Sequence, residues 1–220
     1  MFCGFLAENW REHIVAQELE KQYVKSFYED LTQDENDQQR TINNLDHAVK
    51  IADSLFVLLA KLKTTQAANV VYMQLREMTR SGNMLLRVND RTIVQLRNAG
   101  GMRLIRNKGV SDSMVVYYSE IGDLQFLFDE SVTIGRSLRQ KYEPLLNAAD
   151  FAKIVDSTNS IINPTDELHL RSADPNTINS CLLEINNIRG LSIGTKKRIQ
   201  ALKDRAARIK KYIEKEYPLE

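Results

Sequence analysis

Gly100 and Gly101 stand side by side in the run QLRNAGGMRLIRNKGVSDS, with Arg103, Arg106 and Lys108 close behind. A backbone free to turn, set beside cations, is the chemistry of a phosphate-cradling loop. A loop of the Walker type requires G-x-x-x-x-G-K-[ST] after a strand and before a helix. This pair follows a helical pattern instead, and no Lys-Ser or Lys-Thr comes after it. Two readings remain. In the favoured one Gly100 adopts the left-handed conformation that ends a helix, Gly101 turns the backbone, and Leu104 and Ile105 plug the end of a bundle. In the other, the three cations bind an anion.

The remaining reactive side chains are dispersed. His13, His47 and His169 lie far apart, and none has a second ligand at metal-binding spacing. Cys3 and Cys181 define neither a disulfide framework nor a zinc site. Cys181 falls among Ile178, Leu182 and Ile185, a core pattern. The sequence therefore predicts no catalytic residue, no metal and no cofactor. Polar interruptions in apolar stripes are more informative: Asp34 and Gln38 early in the chain, Ser192 and Lys196 late. Such a layer fixes the register of packed helices or lines a small ligand cavity. Register is favoured.

The elements that must position these residues are helices. No proline precedes Pro144, and no glycine lies between Gly4 and Gly82, so little interrupts regular structure. From Leu6 to about Lys63 the pattern is one helix of about 58 residues, roughly 87 Å long at 1.5 Å per residue. Its apolar positions Ile42, Leu45, Val49, Ala52, Phe56 and Leu59 form a heptad seam. A rod of that length needs partner helices. Further helices are expected over 66–80, ended near Gly82, and over 89–99 with Asn89 as cap. Others are expected from Ser111 to Tyr142, before Pro144, and over 147–158. Asp174-Pro175 starts the last helix, whose seam runs from Leu182 and Ile185 to Ile213, softened at Gly190 and Gly194. No strand pattern appears.

The sequence thus predicts an all-α, elongated helical bundle with a long antiparallel coiled-coil stalk. Residues 1–63 form the first stalk helix, 64–173 a helical head, and 174–217 the second stalk helix, in one continuous domain. The charge map suggests the register. With Trp10 near Tyr217, residue 30 falls beside about residue 197. The acidic cluster Glu29, Asp30, Asp34, Glu35 and Asp37 then faces the basic last helix, and Asp34, Gln38, Ser192 and Lys196 share a height. The alternative is two solvated faces that never meet.

Apolar residues are 43% and charged residues 27% of the chain, which excludes a disordered composition. The formal charge of +1 points to no polyanionic partner. The basic last helix lacks aromatic interleaving apart from Tyr212 and Tyr217, so nucleic acid is not expected. The opening MFCGFLA is apolar for only seven residues, with no basic lead and no cleavage site, so it is not a secretory signal. It is compatible with the stub of a span that begins upstream. Trp10 and Arg11, just after that run, have the pattern of an interfacial anchor. The alternative is a tryptophan packed in the bundle.

The stretch ENWREHIVAQELEKQYVKSFYEDL resembles the opening of a family of uncharacterised bacterial membrane-anchored helical proteins, a domain of unknown function. In that family a transmembrane helix runs into an N-W-x-E segment, matched by Asn9, Trp10 and Glu12, and then into a YLKSLxEDL-like stretch. Tyr23, Val24, Lys25, Ser26, Glu29, Asp30 and Leu31 correspond to the latter. A second family stretch resembles Leu96, Gly100, Met102, Leu104, Ile105, Asn107 and Tyr117-Tyr118. The likeness covers residues 6–125; the chain departs from it in lacking the preceding span and in having NAGG where SSGN is usual.

The resemblance implies a single N-terminal span in the bacterial cytoplasmic membrane, with the helical domain facing the periplasm. The basic end of the last helix would return to that membrane surface. The expected function is a non-enzymatic scaffold or interaction module that meets a protein partner or a second copy of itself. The alternatives are a ligand-sensing bundle of a bacterial receptor, with a small-molecule ligand, and a soluble cytoplasmic coiled-coil adaptor.

Overall fold

The computed structural model describes residues 2–61, 68–81 and 87–218. Six α-helices occur among them: α1 (Phe2–Ala60), α2 (Ala68–Ser81), α3 (Arg91–Ala99), α4 (Lys108–Tyr142), α5 (Ala148–Ala152) and α6 (Pro175–Glu216). No strand occurs among the described residues, where the only pairing of extended backbone is an isolated bridge between Val155 and Ile161. The fold is an all-α bundle. The ends expected at Lys63, Gln66 and Gly82 lie outside the described residues.

α1 runs through a stretch that lacks both glycine and proline from residue 5 onward, and the helices stop where local chemistry stops them. Pro144 lacks the N–H that would continue α4, and α4 ends at Tyr142 in a 3-10 turn over Glu143–Leu145. Asp174 opens α6, its carboxylate accepting from the Thr177 N–H at 2.8 Å. α6 then runs unbroken through Gly190 and Gly194. Two expected caps are corrected. α4 starts at Lys108 rather than Ser111, because the Asn107 side chain accepts from the Val110 N–H at 3.2 Å. α3 starts at Arg91 rather than Asn89, and its cap comes from another helix, as described below. The helix expected over 147–158 is only the short α5, capped by Asn147, whose side chain accepts from the Ala149 N–H at 2.9 Å.

The chain divides into two compact units. The first comprises residues 1–39, 87–123 and 199–220; the second comprises 40–86 and 124–198. Residues 64–173 are therefore distributed over both units. The core of the first unit includes Phe27, Leu31, Leu96, Met114, Tyr117 and Ile213, all fully buried. Phe27 meets Tyr117 edge-on, with ring centroids 6.1 Å apart. The core of the second includes Leu55, Tyr72, Leu75, Leu138, Cys181 and Ile185.

In each unit α1 and α6 run antiparallel. Asp46 bonds Lys196 and Asp53 bonds Arg189, each at 2.6 Å, so seven residues forward on α1 match seven back on α6. In the first unit Lys210 meets Glu35 at 2.9 Å, and the Tyr28 hydroxyl donates to Glu214 at 2.6 Å. The expected register is corrected by these pairs. The Tyr217 hydroxyl donates to Glu20 at 2.8 Å rather than lying near Trp10, and residue 30 lies opposite the stretch near Lys211, not 197. The slide is about two heptads, and a seam that repeats every seven residues tolerates it. The seam itself also differs. Ala48, Ala52, Leu55 and Leu59 are buried, while Phe56 is 45% exposed. A strict 3.5-residue repeat drifts around a straight helix of 3.6 residues per turn.

Candidate functional site

Two carboxylates one turn apart on α1 organise the polar interior of the first unit. Asp30 and Asp34 are 3% and 1% exposed, so both need partners in place of water. Asp30 accepts from the Thr92 N–H at 3.0 Å and from the Thr92 hydroxyl, and Arg91 donates to its other oxygen at 3.0 Å. It thereby caps α3 from a distant helix, satisfying an N–H that Asp90, which makes no side-chain cap bond, leaves open. Asp34 accepts from the backbone N–H and the side-chain amide of Asn89, at 2.8 and 3.0 Å. Its second oxygen accepts from the Tyr117 hydroxyl at 2.8 Å, and that hydroxyl accepts from the Gln38 amide at 3.0 Å.

Burial, the largest influence, pushes the Asp34 carboxyl above the usual carboxylate range, against hydrogen bonds from Asn89 and Tyr117 that pull it down. Burial, and then the charge of Asp34, hold the Tyr117 hydroxyl protonated far above the ordinary tyrosine range. Asp34, Gln38 and Tyr117 are each at most 2% exposed. The arrangement ties the 89–92 segment to α1.

The four polar residues expected at one height are not brought together. Gln39 and Glu35, the neighbours of Asp34 and Gln38, meet Lys203 and Lys210 of α6. Lys196 meets Asp46 in the second unit. Ser192 is buried beside Thr195, Leu45 and Phe128 around a void of about 10 Å³, room for no more than one water. The acidic cluster is likewise split. Glu35 meets α6, whereas Glu29 and Asp30 take Arg91. The register layer that the sequence suggested is thus a clasp between α1 and the start of α3. Tyr117, Asn89 and Thr92 were missed because they lie 55 to 83 residues from their partners, and no local spacing links them.

At the corner, Gly100 has φ 119° and ψ 7°, left-handed backbone that glycine adopts without a Cβ clash. The Gly101 N–H reaches back to the Leu96 carbonyl at 2.6 Å, the six-to-one bond of a Schellman ending. Gly101 also has positive φ, at 85°. Ile105 is buried and Leu104 half-buried. Arg106 contacts His13 Nδ1 at 2.9 Å.

Trp10 is 71% exposed and Arg11 is exposed too, so the alternative of a tryptophan packed in the bundle is set aside. Ile14 and Val15 are 47% and 60% exposed. Because Tyr217, one residue past the end of α6, lies beside Glu20, the Trp10 turn stands beyond the reach of that helix. No described helix is long and apolar enough to cross a membrane. Among the described residues no group of three His, Cys, Asp or Glu side chains is placed to hold a metal ion. His47 lies 3.6 Å from Glu77. Compared with protein-family models, with curated proteins and with solved structures, the chain finds no match in any of the three.

Proposed function

We propose that this chain is a non-enzymatic helical interaction module that stands on a membrane surface, as the extracytoplasmic part of a single-pass bacterial membrane-anchored protein. The observation that carries this reading is the exposed turn of α1 around Trp10. Trp10, Ile14 and Val15 leave apolar surface uncovered there, and apolar surface left in water is unfavourable. A tryptophan beside an arginine suits the boundary between head groups and acyl chains. The likeness of the Asn9-Trp10-Glu12 stretch to a membrane-anchored family supports the same placement.

α6 plays the smaller part in this contact. Glu20, beside its end, is ten residues along α1 from Trp10, about 15 Å of helix. At physiological salt the screening length is about 8 Å, so Lys211 and Lys215 sense anionic head groups weakly.

Trp10 is the only tryptophan in the chain, which makes it the reporter. With vesicles of phosphatidylglycerol and phosphatidylethanolamine its emission is expected to shift to the blue and to be quenched by brominated lipid. Emission unchanged at saturating lipid would sink the reading. A blue shift that depends on protein concentration alone, without vesicles, would replace it with self-association.

A further inference from the structure

Where α4 ends, the second unit holds a cavity of about 730 Å³ that the sequence did not announce. This volume lies in the range of sites that bind small molecules, roughly 300–1,000 Å³. Its apolar wall is Tyr142, Leu146 and Phe151, and its charged rim is Arg76, Arg139 and Arg171 against the single carboxylate of Glu143. Three guanidinium groups and one carboxylate leave +2 at this rim. The end of α4 contributes the opposing partial charge of a helix C-terminus, about half a unit negative. The balance stays positive.

The walls are fixed by hydrogen bonds. The Tyr72 hydroxyl accepts from the Asn147 N–H at 2.6 Å and donates to the His169 carbonyl at 2.9 Å. The Arg171 N–H donates to the Leu145 carbonyl at 2.8 Å. Arg76 is oriented in advance, its guanidinium carbon 5.5 Å from the centre of the Phe151 ring and its Nη2 donating to Asn159 at 2.8 Å. Its Nε is buried with no hydrogen-bond partner among the described residues. None of the three arginines pairs with a carboxylate among those residues. Arginines on a protein surface serve many ends, but three around an apolar wall, with no carboxylate partner among the described residues, offer the fork-like donors that recognise carboxylate and phosphate oxygens.

We propose that this cavity is a binding site for a small organic anion, with carboxylate or phosphate groups on a flat apolar body. The apolar body lies against Tyr142, Leu146 and Phe151, and the anionic groups meet Arg76, Arg139 and Arg171. This site is independent of the membrane contact of α1, and it gives the ligand-sensing alternative a definite place in the fold.

Calorimetric titration of the full chain tests it, with isophthalate and phenyl phosphate as probes and with benzyl alcohol and inorganic phosphate as controls. At least one aromatic anion is expected to bind at submillimolar concentration, and the better of the two tells carboxylate from phosphate. Both controls are expected to bind at least about tenfold more weakly. Arg139 and Arg171 are exposed, so the double variant R139A/R171A keeps the core intact; it is expected to lose at least tenfold in affinity, while E143Q gains severalfold. The proposal is overturned if neither aromatic anion binds below about 1 mM, if either control binds as well as they do, or if R139A/R171A binds as tightly as the parent chain.

Discussion

Asp34 shows what a single buried carboxylate does to the pH response of a fold. Its carboxyl titrates above the usual range because burial outweighs the hydrogen bonds from Asn89 and Tyr117. The folded state therefore holds the proton more tightly than the unfolded chain does. Stability from this group is greatest below the unfolded value, near 3.9, falls as pH climbs through the folded value, and is flat above it. Asp34→Asn removes this dependence. Urea unfolding from pH 4 to pH 8 is expected to show the parent chain losing ground to the variant, by about 1.4 kcal/mol for each unit separating the two pKa values. If the parent chain gains ground instead as pH rises, the burial account is wrong. The sequence showed Asp34 and Gln38 as breaks in an apolar stripe, and so as interior polar residues. Their partners were not legible, because Asn89 and Tyr117 reach them through tertiary folding alone.

At the scale of elements, helix existence was legible and helix register was not. The absence of glycine and proline from residues 5 to 81 and the Asp174-Pro175 start foretold α1 and α6. A heptad seam looks the same after sliding by seven, so only particular pairs select one alignment. Those pairs differ in weight. Lys210 and Glu35 have side chains 17% and 21% exposed, and the Lys210 ammonium also lies 5.0 Å from the centre of the Tyr28 ring. Arg189 and Asp53 are 43% and 55% exposed, where an ion pair contributes little. Thermal unfolding is expected to show Lys210→Ala costing about 1–2 kcal/mol and Arg189→Ala within about 0.5 kcal/mol of the parent. Equal costs would mean that solvent exposure is not what ranks these contacts. The cavity beside Pro144 escaped sequence reasoning for a related reason. Arg76, Arg139 and Arg171 come from three separate segments, and each alone reads as an ordinary solvated cation.

For the molecule as a whole, the decisive fact is that α1, α4 and α6 each contribute to both compact units. Unfolding one unit alone would require a new helix end inside each of these three helices. Every new end strands backbone N–H and C=O groups that the continuous helix satisfies. Both cores are therefore expected to unfold in one transition. The buried thiol of Cys181 offers the readout for the second unit. It is fully buried, and burial, the largest influence, pushes it up to about 11, so it is both shielded and protonated. Its modification by a thiol reagent, resolved from Cys3 by peptide mass, should rise at the same urea concentration at which helical circular dichroism disappears. Labelling well before that point would mean that the second unit opens by itself. In native buffer the same sulfur is a built-in clock: its slow alkylation counts the rare moments when the interior admits a reagent molecule.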